Sequence, residues 1–142
     1  MNLPMDETLS KDRKRRAAEV LHGNPFSRLI GMRLVEMRPG EAVIEIEMRD
    51  ELCQPNGILH GGVTATLIDT AMAFAAITKL DENEKASTVD LTVHYLRPHT
   101  EGKISCTANV VRAGKRIITL TADVRNASGK MIATAVSTYT KV

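Results

Sequence analysis

The chain has 142 residues, a length that fits one domain with a buried core. Its 19 Lys and Arg residues balance 17 Asp and Glu residues, so the net charge of +2 calls for neither nucleic acid nor an anionic membrane as a partner. Trp is absent and other aromatic residues are scarce, which argues against base stacking on single-stranded nucleic acid. Cys53 and Cys106 fit no disulfide or metal-ligand spacing, and no apolar run follows a basic start as it does in a signal peptide. We therefore expect a cytoplasmic protein with free thiols.

The first predicted element is an amphipathic helix from Ser10 to His22. Its basic side chains could form an arm that binds nucleic acid, but the interleaved Asp12 and Glu19 favour a solvated helix face. An Asn-Pro pair follows and ends the helix. We therefore predict an N-terminal helical extension over residues 1–23 and a single domain over residues 24–142.

The rest of the chain predicts two strands, one long helix and four more strands. Residues 33–37 and 41–48 flank an Arg-Pro-Gly turn, and the second segment alternates apolar and polar side chains as a half-buried strand does. The four later strands, which follow one another at the spacing of a meander, are predicted around residues 87–95, 104–110, 118–124 and 132–138. An antiparallel sheet of about six strands, wrapped around one central helix in an α+β fold, satisfies this order.

Between the second and third strands, a loop rich in Pro and Gly runs directly into a segment of helix formers. The loop reads Gln54-Pro55-Asn56-Gly57-Ile58-Leu59-His60-Gly61-Gly62, and the segment after it is apolar on nearly every side. A helix of this kind is buried, and this one is too short to span a membrane. Asp69 lies in its middle, where an ionised carboxylate is costly unless it has a use.

This loop and helix resemble the signature of the hotdog-fold acyl-CoA thioesterases, and most closely the phenylacetyl-CoA-catabolism and hydroxybenzoyl-CoA type. The shared features are His60-Gly61-Gly62, with Asp69 eight residues after Gly61 and Gln54 seven residues before it. The resemblance covers the chain from about residue 24 to the end. It implies a hotdog fold and an enzyme that hydrolyses an acyl or aroyl thioester to a free acid and coenzyme A, with no metal or redox cofactor.

The residues at the start of the helix suggest how such a reaction would be catalysed. Backbone N–H groups in the first turn lack partners and carry a partial positive charge, so Gly61 and Gly62 could polarise a thioester carbonyl and stabilise its oxyanion. The alternative is that the two glycines only ease packing of the helix on the sheet. By the resemblance, the N–H of Gly61 holds the oxyanion and Gly62 contacts the substrate.

The carboxylate lies far from this oxyanion site on the same helix. Eight residues separate Gly61 from Asp69, which is roughly 12 Å along the axis, so both cannot act on one thioester carbon from a single helix. Two helices packed antiparallel about a two-fold axis remove this conflict. We therefore expect a homodimer, or a tetramer made of two dimers, with active sites at the subunit interface.

Asp69 is expected to act as a general base or as a nucleophile, and the sequence leaves both open. The structural alternative is a buried carboxylate tied to a nearby hydroxyl, such as that of Thr66 or Thr70. By the resemblance, Gln54 and His60 assist at the thioester carbonyl, although His60 could instead brace the loop and cap the helix.

Two hydroxyls and several polar residues complete the predicted site. Ser87 and Thr88 open the third strand, and Ser87 shares the alternating face that points towards the helix, where a hydroxyl could orient the attacking water or be an ordinary strand-end group. Asn56 is expected in the turn of the substrate loop. Three cations are candidates to grip the coenzyme A phosphates, against the alternative of scattered solubilising charge: Arg97, Lys115 and Arg116.

Two other functions stay open at this stage. A non-catalytic acyl-CoA sensor could use the same fold, but it would usually bring a DNA-binding domain, for which residues 1–23 are too few, and it would not need Asp69. A hotdog hydratase or dehydratase is the second alternative, and the His-Gly-Gly loop resembles the thioesterase type instead.

Overall fold

The computed structural model describes residues 9–142, which form a six-stranded antiparallel sheet with one long helix packed across a face. The elements in chain order are α1 (Lys11–Gly23), α2 (Pro25–Ile30), β1 (Arg33–Arg38), β2 (Glu41–Glu47), a 3₁₀ turn (Asp50–Leu52), α3 (Gly61–Ile77), β3 (Ala86–Tyr95), β4 (Lys103–Ala113), β5 (Ile117–Asn126) and β6 (Met131–Lys141). The predicted α+β architecture and its strand count are therefore confirmed. Within the described residues, no helix is long and apolar enough to cross a membrane.

The strand order differs from the predicted meander. The sheet runs β1-β2-β4-β5-β6-β3, so only the last three strands of the chain follow one another as neighbours. After β2 the chain crosses the sheet through α3 and forms β3 at the far edge, and β4 then returns to pair with β2. This crossover places β3 beside β6, and that pairing builds one end of the candidate site.

The core lies between α3 and the sheet. Leu67, Ile68 and Met72 of α3 are fully buried, and they belong to the same apolar cluster as the inward side chains of the central strands. The alternation predicted for β5 is confirmed, because its four alternating apolar residues, Ile118, Leu120, Ala122 and Val124, are all buried. Burial of this apolar surface stabilises the packing of α3 on the sheet.

The N-terminal helices pack on the same core. Ser10 caps α1 by accepting a hydrogen bond from the N–H of Arg13 at 3.1 Å, and Leu21 is only 1% exposed. The guanidinium of Arg13 donates to the carbonyls of Ile77 (2.7 Å) and Leu80 (3.1 Å) at the C-terminal end of α3. The predicted extension thus contacts the central helix directly.

The Asn-Pro pair predicts only the end of a helix, whereas the chain also forms the short helix α2 there. The Asn24 side chain accepts a hydrogen bond from the N–H of Phe26 at 2.9 Å, Pro25 occupies the first turn, and Gly31 ends the helix with a φ of 83°. These are standard start and stop signals, but they enclose just six residues.

Candidate active site

The loop that precedes α3 is closed by a tight turn. The N–H of Gly57 donates to the carbonyl of Gln54 at 3.0 Å, and the N–H of Gln54 donates to the carbonyl of Ile58 at 2.8 Å. Gly57 has a φ of 74°, a left-handed conformation that glycine adopts without strain. Asn56 lies exposed at the tip of this turn, as the turn prediction requires, and it does not line the cavity described below.

His60 caps the N-terminus of α3. Its carbonyl accepts a hydrogen bond from the N–H of Val63 at 2.9 Å, and its Nδ1 accepts one from the N–H of Gly62 at 2.9 Å. A nitrogen that accepts carries no proton, so a neutral His60 ring holds its proton on Nε2. A Cβ at position 62 would lie 3.0 Å from Nδ1, which explains why a glycine stands beside the folded-back ring. The capping role that the sequence left open for His60 is therefore observed.

Gly61 differs from its neighbour because no described residue accepts a hydrogen bond from its N–H. Its carbonyl accepts a hydrogen bond from the hydroxyl of Tyr95 at 2.8 Å. A Cβ at position 61 would meet Cζ of Tyr95 at 3.3 Å, so the tyrosine ring occupies the space that glycine leaves. Of the two glycines, Gly61 is thus the one whose N–H can donate to a ligand in the first turn of α3.

A cavity of about 310 Å³ opens at this end of α3. Three residues that the sequence predicted for the site line it, namely Gln54, Gly61 and Arg97. Tyr95 and His99 line it as well. The imidazole of His99 is 5% exposed, with Nε2 3.0 Å from the carbonyl of Gly102. Neither Tyr95 nor His99 is a candidate in the sequence analysis, because each lies in or after a strand without a local motif.

Asp69 lies at the other end of the site, half-buried on α3. Its Oδ1 accepts hydrogen bonds from the hydroxyl of Tyr139 at 2.7 Å and from Oγ1 of Thr88 at 2.8 Å. Thr66 and Thr70, the partners considered in the sequence analysis, instead donate to helix carbonyls one turn earlier. Within the described residues Oδ2 has no hydrogen-bond partner, so one oxygen of the carboxylate is held and the other is free.

The predicted orientation of Ser87 is wrong, and Thr88 takes the place expected for it. A β-bulge between Thr88 and Asp90 inserts one residue into β3, which reverses the alternation of its side chains. Thr88 pairs with the inward-facing Tyr139 and donates to Asp69, whereas Ser87 pairs with Thr140 and lies on the opposite face of the strand. A pattern of alternate residues counted back from Leu91 assigns the wrong face to every residue before the bulge.

The predicted phosphate-binding cations lie far apart within one subunit, one beside Gly61 and two near the end of the sheet closest to Asp69. Arg97 lines the cavity beside Gly61. Lys115 and Arg116, which we call the hairpin cations, are exposed in the turn between β4 and β5. The carbonyl of Arg116 accepts a hydrogen bond from the N–H of Lys141 at 2.8 Å, so this turn lies at the end of the sheet that carries Asp69.

Burial raises the pKa of the Tyr139 phenol well above its ordinary value of 10.0, and the hydrogen bond and negative charge of Asp69 raise it further. The hydroxyl is therefore a neutral donor to the carboxylate. Burial also raises the pKa of the Cys106 thiol, which makes it a poor nucleophile. Among residues 9–142, no group of three or more His, Cys, Asp or Glu side chains is arranged to hold a metal ion.

Comparison with known proteins shows the family to which the chain is similar. The family model described as "Thioesterase superfamily" matches residues 56–133, from the turn before α3 into β6. Human acyl-coenzyme A thioesterase 13 is 34% identical over 111 residues, which cover 76% of this chain and 79% of that protein. The 1,4-dihydroxy-2-naphthoyl-CoA hydrolase of Listeria monocytogenes is 29% identical over 86 residues, which cover 61% of this chain and 70% of that protein.

Solved structures share the fold along most of the chain. Zebra fish thioesterase superfamily member 2 superposes with a TM-score of 0.81 at 27% identity, covering 94% of this chain and 99% of that one. The PaaI protein of the Escherichia coli phenylacetic acid degradation operon gives a TM-score of 0.86 at 23% identity, covering 95% and 96%, a likeness of fold alone. The predicted hotdog fold is thereby confirmed, and the chain belongs to the thioesterase superfamily.

Proposed function

We propose that this protein hydrolyses acyl-CoA thioesters to a free acid and coenzyme A, with Asp69 as the group that activates water. Membership of the thioesterase superfamily and relatives named acyl-CoA thioesterases support the reaction. The observation that carries the mechanism is the carboxylate of Asp69, whose Oδ1 is held by two hydroxyls while its Oδ2 is free. Oδ2 is therefore available to accept a proton from a water molecule.

The proposed site is shared between two subunits. In this chain, α3 leaves one face partly exposed at three- and four-residue spacing, formed by Gly62, Thr66, Asp69, Thr70, Ala73 and Ile77. A second copy packed antiparallel against this face would bring Asp69 of one subunit to Gly61 of the other. The same pairing would bring the hairpin cations of one subunit towards Arg97 of the other, so that one coenzyme A could meet both. Sedimentation that shows an active monomer would overturn this arrangement.

The chemistry then needs only groups that the chain supplies. The free N–H of Gly61, at the positive end of α3, donates to the thioester oxygen and stabilises the oxyanion. The oxygen of a water molecule attacks the carbonyl carbon while Oδ2 of Asp69 accepts one of its protons. When the tetrahedral intermediate collapses, the carbon–sulfur bond breaks and the proton passes to the departing thiolate.

Thr88 favours water as the nucleophile over Asp69 itself. Because its hydroxyl proton is donated to Oδ1 of Asp69, its oxygen is left as an acceptor that a neighbouring water can donate to. That water would lie beside Oδ2 and be aligned for deprotonation. Turnover in water enriched with heavy oxygen tests this: a general base leaves the label in the product acid alone, whereas an anhydride that water attacks at the Asp69 carbonyl carbon also leaves it in Asp69. An anhydride attacked at the acyl carbon would instead be detected as a covalent acyl-enzyme by mass spectrometry after rapid quenching.

The function is tested by coupled thiol release over a panel of short, medium, long and aromatic acyl-CoA thioesters. Asp69→Asn keeps an oxygen acceptor for Tyr139 and Thr88 but cannot take up a proton, so kcat should fall by at least about 100-fold. Thr134→Val is the matched control, because the hydroxyl of Thr134 on β6 donates to the carboxylate of Asp123 on β5 at 2.8 Å, and its activity should stay within about twofold of wild type.

Two outcomes would contradict the proposal. If the wild-type protein binds acyl-CoA but releases no thiol from any member of the panel, the protein is a sensor. If a well-folded Asp69→Asn variant stays within a few-fold of wild type, the carboxylate is structural and a different group activates water.

A further inference from the structure

We propose that Tyr139 is a positioning residue of the active site: with Thr88 it holds Oδ1 of Asp69 and so fixes Oδ2 as the oxygen that accepts the proton. This inference rests on the proposed function, because it concerns the orientation of the carboxylate that activates water. No feature of the local sequence around Tyr139 distinguishes it from other inward residues of β6.

The Tyr139 hydroxyl lies against Asp69 at the inner face of the sheet. Tyr139 is 2% exposed, and its ring lies in the apolar core between β6 and α3. Its hydroxyl oxygen is 2.7 Å from Oδ1 of Asp69 and also 2.7 Å from the backbone carbonyl of the same residue. The phenol therefore contacts both the side chain and the main chain of Asp69, which restricts the rotamer of the carboxylate.

A second donor converges on the same oxygen. Tyr139 and Thr88 are directly paired across β6 and β3, and the bulge in β3 turns Thr88 inward so that both hydroxyls reach α3. A carboxylate oxygen can accept two hydrogen bonds, and Thr88 and Tyr139 are both placed to donate to Oδ1, with the single Tyr139 proton shared between Oδ1 and the backbone carbonyl of Asp69. Rotation of the carboxylate plane away from this arrangement would weaken both charge-assisted hydrogen bonds, so the plane, and with it the position of the outer oxygen, is held.

The protonation state of Tyr139 suits this role. Burial and the adjacent Asp69 raise the pKa of the phenol above its ordinary value, so the hydroxyl keeps its proton and donates wherever Asp69 is ionised. Tyr139 touches neither the water nor the thioester in the proposed mechanism. Its effect on the reaction passes entirely through Asp69, and this makes a specific coupling measurable.

The test is a double-mutant cycle on kcat for thiol release with the best acyl-CoA of the panel. Tyr139→Phe removes only the hydroxyl and keeps the ring packing, so the variant should fold and kcat should fall about tenfold with KM within about twofold. In the Asp69→Asn background the same substitution should change kcat by less than about twofold, since the group that it orients is already disabled.

A matched control comes from the same strand. Oγ1 of Thr134 donates to a carboxylate oxygen of Asp123 at 2.8 Å, away from α3. Thr134→Val removes this hydroxyl–carboxylate bond outside the site and should leave kcat within about twofold in both backgrounds. Circular dichroism and thermal melting of all variants establish that each is folded.

Each outcome decides something different. A tenfold loss in the wild-type background that vanishes in Asp69→Asn supports the inference. Equal losses in both backgrounds, or no loss from Tyr139→Phe while Asp69→Asn is inactive, overturn the positioning role and leave the proposed function standing. Full activity in both single variants overturns the role of Asp69 in activating water, and with it the positioning role of Tyr139.

Discussion

Arg13 connects the N-terminal helix to the element that carries Asp69, and its removal gives a test with a magnitude that the structure sets. Its guanidinium donates to the carbonyls of Ile77, the last residue of α3, and of Leu80, in the turn after it; the Ile77 carbonyl also accepts a hydrogen bond from the N–H of Leu80 at 3.1 Å. A hydrogen bond from a charged donor contributes about 1.5–3 kcal/mol when buried. Here one bond is exposed and one is part-buried, so we expect Arg13→Ala to lower the free energy of unfolding by about 1–2.5 kcal/mol.

The assay is urea unfolding followed by circular dichroism at one fixed protein concentration, because assembly would make stability concentration-dependent. Arg16→Ala is the control: Arg16 is exposed, and within residues 9–142 its one ion-pair partner is Asp12, at 2.5 Å, so its loss should cost no more than about 0.5 kcal/mol. Equal unfolding midpoints for the two variants would refute the reasoning. The hydrogen bonds of Arg13 to the end of α3 would then contribute nothing to stability.

Three further predictions concern the site. Thr88→Val should lower kcat at least about tenfold and Ser87→Ala should leave it within about twofold, as measured by thiol release; equal effects would remove the distinction that the bulge creates. Replacing Arg97 or the hairpin cations by Ala should raise KM more than it lowers kcat, with a smaller effect at high salt, and an unchanged KM would exclude them from coenzyme A binding. In Tyr95→Phe, Tyr139 is the sole tyrosine, and its phenolate absorbance should appear only well above pH 10.0 and together with unfolding. The pKa of Tyr139 is higher in the folded than in the unfolded protein, so this group favours the folded state below pH 10.0, and the contribution is lost as the pH rises further. A phenolate signal at pH 10.0 in folded protein would contradict that shift.

The sequence predicts well those features that depend on the residues of one short segment. The apolar run after His60 predicts a buried helix from its own residues, and the structure places that helix at Gly61–Ile77 across the sheet. The alternation in β5 predicts its buried face because the register shift in its pairing with β4 inserts the extra residue into β4, between Val110 and Arg112, and leaves the alternation of β5 intact. In each case the periodicity of the segment and its burial have the same local cause, so one can be inferred from the other.

Two features of the fold depend instead on strand pairing. The order β1-β2-β4-β5-β6-β3 follows from the passage of α3 across the sheet, which spacing along the chain does not encode. The bulge after Thr88 is a property of how β3 lies against β6, and the segment itself reads as an uninterrupted alternation. The error over Ser87 has this origin: a one-residue shift in register exchanges the two faces of a strand.

The two tyrosines of the chain show why the rest of the site cannot be found from a motif. Tyr95 donates to the carbonyl of Gly61 from 34 residues away, and Tyr139 donates to Asp69 from 70 residues away. Each binds one of the two groups that the signature around His60 identifies, and each reaches it only because β3 and β6 pair under α3. The motif thus specifies the groups that would meet the thioester, whereas the sheet supplies the hydroxyls that hold those groups in place. If Tyr139→Phe and Asp69→Asn prove coupled, the orientation of the carboxylate is a product of strand pairing as much as of the helix that bears it.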